Sequence, residues 1–147
     1  MEKLLFSVSI QAPKNKVWSV LWQDESYRNW ASAFFEGSYA VSDWKEGDKI
    51  LFLGPDGSGM VSRIAEKRPN EYMSFEHLGM VNKGIEDTTS EKVRSWAGAK
   101  ENYKLEEKDG ITNLFIEMDA AEDYKDYFIK TWPKALEQVK ILSENNQ

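Results

Sequence analysis

The chain opens on an alternation. Leu4, Phe6, Val8 and Ile10 interleave with Leu5, Ser7 and Ser9, a period of two that predicts a strand with one buried face. Pro13 then suits the first turn of a helix, and KNKVWSVLW places Val17, Val20 and Leu21 on one side with Trp18 and Trp22 beside them. Asp24 is placed to cap a second short helix, ESYRNW. Strand-like segments follow near 36–43, 48–54, 58–67 and 71–79, separated by Lys45-Glu46-Gly47-Asp48, Pro55-Asp56-Gly57 and Arg68-Pro69-Asn70. Connections this short join antiparallel neighbours, so a meander is expected rather than βαβ units.

Residues 81–95, VNKGIEDTTSEKVRS, show no clear period, which leaves a mobile lid and a plain surface excursion both open. Residues 98–107 and 111–118 predict a hairpin across Lys108-Asp109-Gly110, with Thr112, Leu114, Ile116 and Met118 sharing one face. Asp119, with Glu122 three residues on, fits a capping arrangement for a last helix. In that helix Phe128, Trp132, Ala135, Leu136, Val139 and Leu142 form an apolar stripe, and Pro133 predicts a bend or a fresh start near Thr131. SENNQ at 143–147 reads as a polar tail. The pattern is α+β: a strand, two short helices, about six more strands and a long helix, all within one domain spanning 1–147. The helix has only the sheet on which to bury its stripe, and a helix across a curved antiparallel sheet leaves room for a cavity.

Composition narrows the choices. Aromatic residues make up 13% of the 147 residues, enough for a dense core or an aromatic-lined cavity. The net charge of −6, with Lys and Arg scattered, lacks the basic footprint of a nucleic-acid binder. The absence of cysteine excludes disulfides, thiol catalysis and Cys-rich zinc sites, and a single histidine argues against catalytic zinc. No metal or other cofactor is expected. The first residues lack the apolar run of a signal peptide, and no stretch approaches the roughly 18 apolar residues of a membrane span, so a cytoplasmic protein without membrane insertion is expected. The glycine-rich run at 54–59 lacks a Gly-Lys-Ser/Thr ending and lies between strands, so it reads as a hairpin turn.

Five segments carry a family resemblance: APKNKVWSVLWQDESYRNW at 12–30, WKEGDKI at 44–50, WAGAKENYKL at 96–105, GITNL at 110–114 and WPKAL at 132–136. In order and spacing they resemble the START-like (SRPBCC) superfamily, in the branch similar to the C-terminal domain of the heat-shock chaperone ATPase activator. That resemblance implies a helix-grip fold of about six to seven strands with a deep, mostly apolar cavity. Members bind small hydrophobic molecules, a minority perform chemistry in the cavity, and the activator branch docks onto a chaperone. The eukaryotic activator also carries an N-terminal chaperone-binding domain, to which nothing in these 147 residues corresponds.

Two sets of side chains are candidates for lining such a cavity. His77 shares a face with Met73 and Phe75, while Glu101 and Tyr103 share a face of their own strand. If these converge they form a polar point in an apolar pocket, able to orient a ligand or, as the weaker reading, to act as an acid–base pair. The plain alternative is a structural hydrogen bond and a tolerated core histidine. The second set is aromatic: Trp30, Phe34, Phe75, Trp96, Tyr127 and Trp132, for which core packing is the competing role. The leading expectation is therefore a binder of a small apolar or amphipathic ligand, and the alternative is a protein-interaction module for a heat-shock chaperone. An enzyme is the least expected.

Overall fold

A computed structural model describes residues 1–145; the end of the polar tail, Asn146 and Gln147, lies outside the described residues. Strand β1 (Glu2–Ile10) leads into helices α1 (Lys14–Trp22) and α2 (Asp24–Ala31). A meander follows: β2 (Tyr39–Val41), β3 (Lys49–Leu53), β4 (Gly59–Arg68) and β5 (Tyr72–Asn82). The short β6 (Ile85–Asp87) and helix α3 (Glu91–Arg94) precede the hairpin of β7 (Lys100–Lys108) and β8 (Ile111–Ala120), and a 3-10 turn then enters α4 (Lys125–Glu144). The sheet is antiparallel throughout, in the order β1-β8-β7-β5-β4-β3-β2, with β6 paired to the far end of β5. This is the expected helix-grip α+β architecture, with eight strands among the described residues when the two shortest are counted.

The core forms where period-two and period-3.6 faces meet. Thr112, Leu114, Ile116 and Met118 point inward as their alternation predicts, and Trp132, Ala135, Leu136 and Val139 of α4 bury against the sheet and the first two helices. Each fully buried large apolar side chain contributes about 1.5–3 kcal/mol, so this stripe suffices to fix α4 in the grip. Helix α4 runs unbroken through Pro133. The carbonyl of Ile129 loses its helical donor there, but packing on both sides of the proline keeps the helix continuous. Ser143 is buried within the last turn, so the polar tail begins later than its composition suggests.

Two expected caps are corrected. Gln23, not Asp24, is the N-cap of α2; Asp24 is the first helical residue and pairs with Arg28 one turn on. Asp119 belongs to β8, where its carboxylate accepts the backbone N–H of Lys100 at 2.9 Å. Both carboxylates have a partner that a linear motif does not show.

Residues 81–95 are also more ordered than their polarity predicts. Lys83 and Gly84, both at positive φ, turn β5 into β6 in a two-residue hairpin, and Ser90 caps α3, which buries Val93. Gly79 permits the return. A methyl group there would lie 2.1 Å from the carbonyl oxygen of Asp87, which is backbone and cannot rotate away. Gly79→Ala is accordingly expected to cost about 1–3 kcal/mol through displaced β6 backbone, a loss measurable by urea denaturation. A change below 0.5 kcal/mol, about the scatter of a neutral surface substitution, would show that β6 is not held against β5.

At the far end of the molecule Glu144 ties α4 to the turn after β1. Its carboxylate accepts the backbone N–H of Gln11 at 2.8 Å and pairs with Lys140, and these contacts hold its pKa below the usual carboxylate value. Lys14 does the same for Glu71, chiefly through their hydrogen bond. A depressed folded-state pKa supplies stability that is present above the unfolded value and lost as pH falls through the folded one. The melting-temperature gap between wild type and Glu144→Gln should therefore be widest near neutrality and close as the pH drops below about 4. A gap that stays constant to acid pH would deny Glu144 this role.

Candidate functional site

A cleft of about 860 Å³ opens between the inner face of the sheet, α2 and α4. Its apolar wall is built from Trp30 of α2, Phe34 just beyond that helix, Phe52 of β3, and Phe128 and Trp132 of α4. Ring pairs knit that wall together: Phe34 lies edge-on to Trp132 at 4.8 Å, and Tyr27 to Trp30 at 5.1 Å. The indole N–H groups are satisfied inside it, Trp30 donating to the carbonyl of Leu21 at 3.2 Å and Trp132 to the sulfur of Met118 at 3.0 Å.

A bulge sets the floor. Along β4 and β5 the register pairs Ser62 with His77 and Val61 with Gly79, leaving Leu78 without an opposite residue. One extra residue reverses the parity of a strand. Met73, Phe75 and His77 therefore face inward by simple alternation, but beyond the bulge Met80 and Asn82 take over the cleft side. Ser62 consequently looks straight across at His77.

The polar groups that converge there form one chain across three strands. Ser62 Oγ lies 2.7 Å from His77 Nδ1, His77 Nε2 lies 3.1 Å from Glu101 Oε1, and the Tyr103 hydroxyl donates to Glu101 Oε2. With the Ser62 hydroxyl donating to Nδ1 and the Nε2–H donating to the carboxylate, every donor in the chain has an acceptor. Burial, and then the charge of Glu101, push the phenols of Tyr27 and Tyr103 far above their usual values, so both stay protonated. Ser62, His77 and Tyr103 are at most 5% exposed, whereas 18% of the Glu101 side chain is open to the cleft.

This order of groups resembles a nucleophile–base–acid relay only on paper. Ser62 is fully buried, on the side of His77 away from the cleft lining, so its hydroxyl meets no substrate. The chain instead fixes one carboxylate at the cleft floor. Among the described residues no group of three or more His, Cys, Asp or Glu side chains is arranged to hold a metal ion.

Of the nine candidate residues, Trp30, Phe34, His77, Glu101, Tyr103 and Trp132 line the cleft. Phe75 lies behind the wall, wholly buried between Trp22, Phe52 and Tyr103. Trp96 follows α3 away from the cleft, and Tyr127 is on the surface of α4, its hydroxyl donating to the carbonyl of Phe34 at 2.5 Å. Sequence reasoning passed over Tyr27, Phe52 and Ser62. Tyr27 precedes Trp30 by three and so shares its helix face, while Ser62 is a polar residue in period with Ile64; both signals were available.

The family model for the activator of Hsp90 ATPase homologue 1-like proteins matches residues 11–144. The chain belongs to that family. No curated protein sequence matches it. Among solved structures, a Mesorhizobium loti protein superposes with a TM-score of 0.76 at 13% identity, covering 99% of each chain. The Aha1 protein of Colwellia psychrerythraea, solved as a dimer in solution, gives 0.73 at 16% identity over 100% of this chain and 99% of its own. DynU16, from the dynemicin biosynthetic locus, gives 0.71 at 13% identity over 100% of this chain and 49% of its own. At these identities the structures share the fold of the activator-family chain. No helix among the described residues is long and apolar enough to cross a membrane.

Proposed function

We propose that this activator-family chain is a non-catalytic binding module that docks onto a protein partner of the Hsp90 chaperone class. Membership of the family over residues 11–144 carries that reading, and the fold shared with Aha1 of C. psychrerythraea supports it. The outer face of the sheet offers a surface of suitable character. Leu5, 71% exposed, and Phe115 flank a shallow groove with Tyr72, and Lys104, Glu106 and Glu117 surround it. An apolar centre with a charged rim is the usual anatomy of a transient interface. The direct test is the ATPase rate of a purified Hsp90 chaperone with and without the protein, alongside a binding titration. Saturable binding that Phe115→Glu abolishes supports the reading; no binding at 100 µM, about the limit expected of a weak transient contact, sinks it.

A second reading is favoured by the cleft itself. Its 860 Å³ falls within the range of about 300–1,000 Å³ typical of small-molecule sites, and its walls are aromatic with one convergent polar point. The activator-family chain would then hold a small apolar or amphipathic molecule between sheet and α4. Native mass spectrometry of the purified protein, followed by denaturation and analysis of what is released, separates the two readings. A defined co-purifying molecule supports the second.

A further inference from the structure

The cleft carries information about charge as well as shape. Its titratable lining consists of Glu101 and His77 at the floor, Tyr27 and Tyr103 beside them, Tyr39 of β2, and Asp56, Asp87 and Lys92 nearer the surface. Carboxylates thus outnumber the lysine three to one. Asp87 is held ionised by hydrogen bonds from Ser90 and Thr89, so the surface end stays negative near neutral pH.

At the floor, Glu101 is built to keep one side available. His77 and Tyr103 each occupy one oxygen, which uses two of the about four acceptor directions of a carboxylate. The carboxylate lines a cleft that also carries the rings of Tyr103, Trp30 and Phe52. Aromatic faces attract cations, and a carboxylate in a partly desolvated aromatic cleft favours a charged donor over water. Among the described residues no Lys or Arg side chain pairs with Glu101; its hydrogen-bond partners are His77 and Tyr103.

We propose that the cleft selects organic ammonium compounds, with the ammonium nitrogen hydrogen-bonded to Glu101 and an apolar or aromatic body lying between Trp30, Phe34 and Trp132. This rests on the second reading above, that the cleft is a ligand site, and adds the chemical class. An anionic ligand of the same shape meets Glu101 below and Asp87 above, and is excluded by both. A neutral ligand fills the walls but forgoes the charged contact.

The test uses three probes that share one aromatic body: naphthalen-1-ylmethylamine, naphthalen-1-ylmethanol and naphthalene-1-carboxylate, titrated into the full chain by calorimetry at pH 7. One hydrogen bond between charged partners corresponds to about tenfold in affinity, so the amine is expected to bind about tenfold tighter than the alcohol, with the carboxylate weakest. Glu101→Gln should bring amine and alcohol to within about twofold of each other, since the wall contacts are untouched. The wild-type ranking alone decides the matter if that variant fails to fold. Equal binding of amine and alcohol overturns charge selection while leaving the cleft as a ligand site. Preference for the carboxylate overturns it outright. Binding of none of the three sinks both the ammonium proposal and the ligand-site reading beneath it.

Discussion

Replacing Trp132 with alanine is expected to cost about 3–5 kcal/mol of folding stability, the largest single-residue loss in this protein. Trp132 is 2% exposed and is where three elements meet. Its ring stacks on Phe6 of β1 at 5.9 Å, stands edge-on to Phe34 at 4.8 Å, and approaches Trp30 of α2 at 6.2 Å and Tyr103 of β7 at 6.0 Å. Removing it leaves the sulfur of Met118 without its indole donor and detaches α4 from α2 at the point where the grip closes. The cleft borders this site, so water can enter the space, which moves the expected value toward the lower end of the range. Trp132→Phe keeps most of the ring contacts and loses the N–H donor, and should cost about 1–2 kcal/mol. Urea denaturation followed by far-ultraviolet circular dichroism reads both. A loss under 1 kcal/mol for Trp132→Ala would show that the aromatic wall is dispensable and that the helix is held elsewhere.

How far such a wall can be read from sequence depends on the periodicity that encodes it. The stripe of α4 and the alternations of β1 and β8 were legible because each element keeps one face apolar over its whole length. Asp109-Gly110 announced its hairpin, as both residues occupy the positive-φ positions that such a turn requires. The same geometry at Lys83-Gly84 carries a weaker signal, since lysine is not a residue that favours positive φ, so residues 81–95 read equally as a lid or a surface excursion. The bulge at Leu78 had no signal at all. Val61 and Ser62 look like two ordinary strand residues, and only the pairing register brings Ser62 opposite His77. Local alternation correctly placed Met73, Phe75 and His77 on one face, but could not tell that the first two lie behind the cleft wall while His77 reaches it. Inward-facing and cavity-lining are different properties, and the second depends on what stands opposite. Phe75 meets the rings of Trp22 and Phe52, whereas the His77 ring meets the polar groups of Ser62 and Glu101 and, farther off, the ring of Phe52.

The network that the bulge creates should show its worth through non-additivity. His77→Phe keeps a ring of similar shape but strands the Ser62 hydroxyl at zero exposure and removes one donor from Glu101. Leaving a buried hydroxyl unpaired costs about 1–3 kcal/mol, and with the lost contact to Glu101 a total of about 2–4 kcal/mol is expected. Ser62→Ala alone strands the imidazole Nδ1 in the same way, at about 1–2 kcal/mol. Made together, the two changes remove both members of the pair, so no hydroxyl is left without an acceptor and no imidazole without a donor. Glu101 retains Tyr103 and is partly open to the cleft, where water can replace the missing donor. The double variant should therefore be more stable than the sum of the single losses by about 1 kcal/mol or more. Losses that add within about 0.5 kcal/mol, as for two sites that share no contact, would remove Ser62 from the network. Amine binding offers a separate readout. Because His77 and Tyr103 hold the two oxygens of Glu101 in place, a network that positions the carboxylate predicts weaker naphthalen-1-ylmethylamine affinity in His77→Phe with the alcohol unaffected. A histidine that serves stability alone would leave both affinities unchanged.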